Sequence, residues 1–123
     1  MKLLVDTHAA IWWLAGDRQL SEAAHAAIAD AGVEAGVSVA SIWEASIKRS
    51  AGRLKGPDLA AALRAAGLPF LQIDERHAKV AGELPLMHRD PFDRMLVAQA
   101  SVERLSIVTG DAQIAKYDVP VIW

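Results

Sequence analysis

His88-Arg89-Asp90-Pro91-Phe92-Asp93-Arg94-Met95, followed through to Thr109-Gly110-Asp111, is the stretch whose reading decides the fold. Asp90 stands where a helix takes its cap, Pro91 suits the first helical position, and Asp93 falls in the first turn, where a carboxylate meets the positive end of the helix dipole. Met95, Leu96, Val97, Ala98 and Ala100 supply an apolar side, and Leu105-Ser106-Ile107-Val108 reads as a short buried strand. That strand delivers Asp111 to a loop opening a further helix. Two carboxylates therefore stand where strand ends meet helix beginnings, the usual address of a site in an open α/β sheet.

The same alternation extends outward in both directions. Leu3-Leu4-Val5 is an apolar run ending in Asp6, with Thr7 as the expected cap of a helix from His8 to about Leu14. Gly16-Asp17 breaks that helix, and an alanine-rich one from Leu20-Ser21-Glu22 to near Gly32 pairs with it antiparallel. Glu34 to Ser38 is the next strand. Ser41-Ile42-Trp43-Glu44 matches a capping box heading a helix that runs to about Ser50, which places Glu44 in a first turn. A small helix over 58–66, a strand over 70–73 and a helix over 75–84, stopped by Pro85, lead into the central segment. A last helix near 112–117 and an edge strand, Val119-Pro120-Val121-Ile122-Trp123, follow it. Strands alternating with helices predict an α/β fold, one domain over 1–123, its parallel sheet covered on both faces by helices.

Composition narrows the function. At 123 residues and 53% hydrophobic the chain supports a single buried core, and without cysteine it has neither disulfides nor thiolate metal sites. No apolar run reaches membrane-spanning length, and Asp6 stands too early for a signal peptide, so a soluble cytoplasmic protein is expected. A net charge of −2 and a pI of about 6.0 are not those of a protein that coats nucleic acid. They leave room for a nuclease whose metal-holding acids lower the total. One basic cluster, Lys48, Arg49, Arg53 and Lys55, contains no acid; it reads as a solvated helix end or as a grip on phosphates.

Asp6, Glu44, Asp93 and Asp111 each have a local explanation as caps, dipole partners or turn residues. Together they require another, because parallel strands place all four beyond the same sheet edge, where they repel unless a cation neutralises them. Oxygen donors without cysteine suit Mg²⁺, with Mn²⁺ able to substitute. Carboxylates holding such ions serve in-line displacement at phosphorus, so metal-dependent phosphodiester hydrolysis is the expected chemistry. Their scatter along the chain excludes a calcium loop.

Leu4-Val5-Asp6-Thr7-His8, Ser41-Ile42-Trp43-Glu44-Ala45-Ser46-Ile47-Lys48, His88 to Ala100 and Val108-Thr109-Gly110-Asp111 resemble, in this order, the motifs of PIN-domain ribonucleases, specifically the VapC toxins of bacterial toxin–antitoxin pairs. The resemblance spans nearly the whole chain. It implies a PIN fold, Mg²⁺-dependent cleavage of single-stranded RNA, a cognate antitoxin and a homodimer. The family's acidic quartet carries over to Asp6, Glu44, Asp93 and Asp111, and its small hydroxyl to Thr109, placed to hold a water or a phosphate oxygen. Many relatives have a bulkier residue where Gly110 stands, which would leave Asp111 more mobile here.

Other residues are read more modestly. Asp90 is taken as the cap rather than a fifth ligand, His88 as a loop histidine, and His8 as unnecessary to the chemistry. Arg94 pairs with a carboxylate or phosphate, or makes a structural ion pair. Trp12 and Trp13 are neighbours about 100° apart on a helix, so one is expected to cover the core and the other to face a partner. Trp43 is expected to pack under the site. Two other functions fit the same residues less well: a nuclease acting on DNA or structured substrates, and a degenerate PIN fold that only binds a protein or RNA.

Overall fold

The computed structural model describes residues 1–123. Five strands, β1 (Leu3–Val5), β2 (Ala35–Ser38), β3 (Phe70–Leu71), β4 (Ser106–Val108) and β5 (Val121–Ile122), form one sheet in the order β3-β2-β1-β4-β5. All four pairings are parallel. Six helices join them: α1 (Thr7–Ala15), α2 (Glu22–Ala29), α3 (Val39–Ser50), α4 (Leu59–Ala65), α5 (Glu75–Glu83) and α6 (Pro91–Glu103). No helix is long and apolar enough to cross a membrane.

β1 lies at the centre, and its side chains divide the core. Leu3 and Val5 point into a cluster with Ala9, Ala10, Ile28, Val37 and Leu63, on the face covered by α1 to α4. Leu4 points the other way, against Leu96, Val97 and Ala100 of α6 and Ile107 of β4. Alternating side-chain direction on a strand buried on both faces explains why the run is wholly apolar. Register then sets the site. Val5 lies level with Val37 and Val108, so Asp6, Ser38 and Thr109 leave the sheet side by side at its carboxyl edge.

Several helix starts differ from the expected ones. The cap of α1 is Asp6, whose carboxylate accepts from the Ala9 amide at 2.7 Å, and Thr7 is already helical. β2 passes into α3 without a loop, and Ser38 caps that helix through the Ala40 amide. Ser41 and Glu44 therefore form no capping box, and Glu44 lies in the second turn. Ser41 instead accepts a hydrogen bond from the Thr7 hydroxyl at 2.8 Å, joining α1 to α3. Asp90 does cap α6, accepting from the Phe92 and Asp93 amides, with Pro91 at the first helical position. The last predicted helix is a single 3-10 turn, Ile114–Lys116, and β3 is shorter than expected because Asp74 already caps α5.

The tryptophans depart further. Trp12 and Trp13 are both half-buried against the core, Trp12 beside Trp123 at 5.9 Å and Trp13 beside His25 at 4.9 Å between ring centres. The end of α1 thus meets aromatic neighbours on two sides, so both rings share the covering and neither is turned wholly outward. Trp43 is the most exposed tryptophan, at 63%, with its ring edge-on to Phe92 at 5.0 Å.

Arg94 makes neither an ion pair nor a free cation. Its guanidinium donates to the carbonyls of Ala81, Leu84 and Pro85, the last turn of α5 and the segment just after it. Tyr117 donates to the Pro85 carbonyl at 2.9 Å and accepts from the His88 amide at 3.0 Å. These bonds satisfy carbonyls left over where a helix stops and fix the loop that carries His88.

Candidate metal centre

Asp6 is buried, and burial pushes its carboxyl above the ordinary value of 3.8 against the lowering effect of its hydrogen bonds from Thr109 and Ala9; the charge of Asp111 adds to the rise. Thr109 is buried as well. Its hydroxyl donates to Asp6 and accepts from the Asp111 amide at 3.1 Å, so one side chain ties the end of β1 to the loop after β4. Asp111 accepts from the Gln113 amide through Oδ1 at 2.8 Å and turns Oδ2 toward His88 Nε2 at 3.3 Å.

Asp93 faces the same imidazole from the start of α6, with Oδ2 2.8 Å from His88 Nε2. Its carboxyl is pushed up to about 7, first by burial and then by the charge of Asp90; Asp111 and Glu44 push the same way and His88 opposes them. Glu44 is buried on α3 and takes Lys48, one turn further on, at 3.1 Å. Lys48 is thereby drawn out of the basic cluster toward the acids, while Arg49, Arg53 and Lys55 stay exposed.

The structure thus places Asp6, Thr109, Asp111, His88 and Asp93 in one connected series, with Glu44 close enough for Asp93 to feel its charge. His88, expected to be an ordinary loop histidine, lies within ligand reach of Asp93 and Asp111. Its Nδ1 accepts from the Asp90 amide at 3.3 Å, which assigns the proton to Nε2 and makes it a donor to both carboxylates. A sequence cue exists in retrospect: a histidine two residues before an aspartate cap can close a short turn and point its far nitrogen along the first turn of the helix.

Gly110 is not a source of looseness beside Asp111. A Cβ there would lie 2.6 to 3.0 Å from the Trp123 indole, so the missing side chain is what lets that ring pack onto the backbone. Asp111 is held by the Thr109 and Gln113 contacts on either side.

The residues fit a hard divalent cation. The donors are mostly carboxylate oxygens, Asp6 and Glu44 are buried with Asp93 and Asp111 half-buried beside them, and Asp93 is raised first by burial and then by its acidic neighbours. A second group, Asp74, His77 and Glu103 between α5 and α6, also lies within ligand reach. There both ring nitrogens are engaged, Nδ1 by the Asp74 amide at 3.0 Å and Nε2 by Glu103 at 2.9 Å, and Arg76 bridges both acids. That group is complete without a metal.

Comparison with solved structures finds the whole fold elsewhere. A toxin–antitoxin complex from Klebsiella pneumoniae contains a chain 15% identical, with TM-score 0.69 and coverage of 99% of this chain and 97% of that one. VapBC2 from Rickettsia felis, bound to a DNA fragment from its promoter, matches at 12% identity and TM-score 0.69, covering 98% and 97%. VapBC-5 from Mycobacterium tuberculosis matches at 18% identity and TM-score 0.63, covering 98% and 96%. A search of curated proteins finds no match. The family model described as the PIN domain matches residues 3–120, and the chain belongs to the PIN-domain family.

Proposed function

We propose that this protein is an endoribonuclease toxin of the VapC type, cleaving phosphodiester bonds in single-stranded RNA with Mg²⁺, or Mn²⁺ in its place, and restrained by a cognate antitoxin. The observation that carries the reading is the gathering of Asp6, Glu44, Asp93 and Asp111 at the carboxyl edge of the sheet, where burial and then the charges of its acidic neighbours push Asp93 up. A fold keeps so unfavourable a cluster when binding a cation compensates for it. Asp6, Glu44, Asp93 and Asp111 would hold the metal, whose chemistry is to activate water and to stabilise charge on the phosphoryl oxygens.

The remaining work falls to the protein. The Ala9 amide and the Thr109 hydroxyl hold the two oxygens of Asp6 in fixed directions, and Thr109 orients Asp111 through its amide. His88 donates from Nε2 between Asp93 and Asp111, a contact that steadies the two carboxylates. Arg49, Arg53 and Lys55, exposed from the end of α3 onward, offer charge to the phosphates of the RNA strand.

All four acids are present and gathered at one edge, which disfavours a degenerate, binding-only PIN domain. The solved relatives are toxin–antitoxin complexes, and an antitoxin is the expected partner here. Self-association is assigned to the outer face of α3, where Trp43 and Ile47 stand one turn apart and 63% and 42% exposed. The deciding experiment is cleavage of total cellular RNA with and without Mg²⁺, the parent chain against Asp6→Asn. Cleavage that depends on Mg²⁺ and vanishes in the variant is expected. Undiminished cleavage in EDTA, or by the variant, excludes the metal reading.

A further inference from the structure

One side of the acidic cluster opens into a cavity of about 310 Å³, bounded by Asp6, His8, Trp12, Gly110 and Asp111. That volume is at the lower end of small-molecule sites. Two of its walls are catalytic acids. Two more are aromatic, the His8 and Trp12 rings 5.8 Å apart, and the fifth is the backbone of Gly110; Trp123 stands behind this lining, with Trp12 leaning on it at 5.9 Å and 52° between the planes. Trp123 is 40% exposed and packs over the bare backbone of Gly110. None of these three rings supports a catalytic carboxylate by hydrogen bonding, and Trp123 is more open than the packing of a core residue requires.

We propose that this aromatic corner is a stacking subsite for one unpaired nucleobase of the RNA strand, the base of a nucleotide next to the scissile phosphate. The inference rests on the ribonuclease reading above and specifies how the substrate is held. Its chemistry follows from the composition of the walls. Two carboxylates at the rim repel a phosphate that is not bridged to them by a cation, so the phosphate belongs over the acids. The aromatic faces beside them suit the flat base attached to the same nucleotide. Gly110 completes the arrangement, since any side chain there would displace Trp123 from its place behind Trp12. Stacking accepts any base, so the subsite favours unpaired RNA over duplex, whose bases already stack on one another, without prescribing a sequence.

The test is equilibrium binding of a labelled short unpaired RNA oligomer to the full chain, with Ca²⁺ replacing Mg²⁺ to slow cleavage. Trp12→Leu should weaken binding by roughly ten-fold or more, the scale of one lost base stack, and Trp123→Leu, which removes the ring that Trp12 leans on, should weaken it in the same direction. Trp12→Phe and Trp123→Phe, which keep an aromatic face and spare the packing, should retain most of it. Gly110→Ala should weaken binding through the displaced indole. Equal binding by the parent and by folded Leu variants, or equal losses in the Phe and Leu variants, overturns the stacking subsite alone. A parent chain that binds no RNA overturns the ribonuclease reading together with it.

Discussion

Two clusters of histidine and carboxylate lie at opposite ends of α6, and they are built from nearly the same parts. At the C-terminal end, Glu103 joins His77, Asp74 and Arg76 in a network in which every partner is paired. The Arg76 guanidinium holds Asp74 down at about 2. At the N-terminal end, Asp93 and Asp111 share one imidazole, and Asp93 is driven up to about 7. Residue type does not separate the two, and neither does the distance between donor atoms. Charge balance does: a cluster carrying its own arginine is complete, whereas a half-buried cluster with surplus acid fits the cation proposed above.

The largest expected effect comes from breaking the unbalanced cluster. Asp93→Asn should lower RNA cleavage by at least about 10³-fold, on the scale of losing a main electrostatic group from a reaction centre, while thermal unfolding shows the fold intact. The two clusters should also oppose each other in their pH dependence. Asp93 keeps its proton up to about 7 in the fold but releases it near 3.8 when unfolded, so its contribution is full below about pH 4 and is lost as pH rises toward 7. Asp74, lowered to about 2, contributes fully above about pH 4 and loses that contribution as pH falls toward 2. Denaturant unfolding of the metal-free protein at pH 5 and pH 8 reads the first slope, and Asp93→Asn should flatten it.

His77→Ala should cost about 2–3 kcal/mol, since it empties a fully buried site and leaves Glu103 and the cap of α5 without their partner. Cleavage per folded molecule should stay at the parent level; a selective loss of activity would erase the distinction between the clusters. Mg²⁺ at about 100 times its Kd should add about 2.7 kcal/mol to the parent at pH 8. The same increment is expected in His77→Ala and most of it should vanish in Asp93→Asn, both read from the shift in thermal midpoint. The smallest effect belongs to the end of α6, where Arg104 adopts φ 57, a left-handed cap that costs a residue with a Cβ roughly 1–2 kcal/mol. Arg104→Gly should relieve a few tenths of a kcal/mol net after the added flexibility of the unfolded chain, and leave the Mg²⁺ response as it was.

The parallel architecture was legible because the strands are short, apolar and each followed by a helix start. The gathering of Asp6, Glu44, Asp93 and Asp111 was legible for the same reason, since topology alone sends strand ends to one edge. The division of labour among neighbours was not. Asp6 and Thr7 both suit a cap, and the backbone of β1 decides between them by running straight into α1. Ser41 and Glu44 have capping-box spacing, yet β2 brings the helix start forward to Ser38 and frees Ser41 to bond Thr7. Arg94 looked like a partner for an anion, but the carbonyls exposed by the end of α5 claim it first. His88 joins the acids only through a loop held by Tyr117 and Arg94, contacts that no local pattern announces.

The Thr109–Asp6 hydrogen bond joins residues separated by 103 positions. On the ribosome, at roughly 5–20 residues per second, about 5 to 20 s pass between the synthesis of one partner and of the other. During that interval β1 lacks β4, one of the two neighbours of its central place in the sheet, and Asp6 has neither its hydroxyl donor nor Asp111 beside it. High sequence separation makes such pairings late events in folding. A nascent chain therefore carries Asp6 without its partners, and the acidic cluster is assembled only once residues 109–111 have been made.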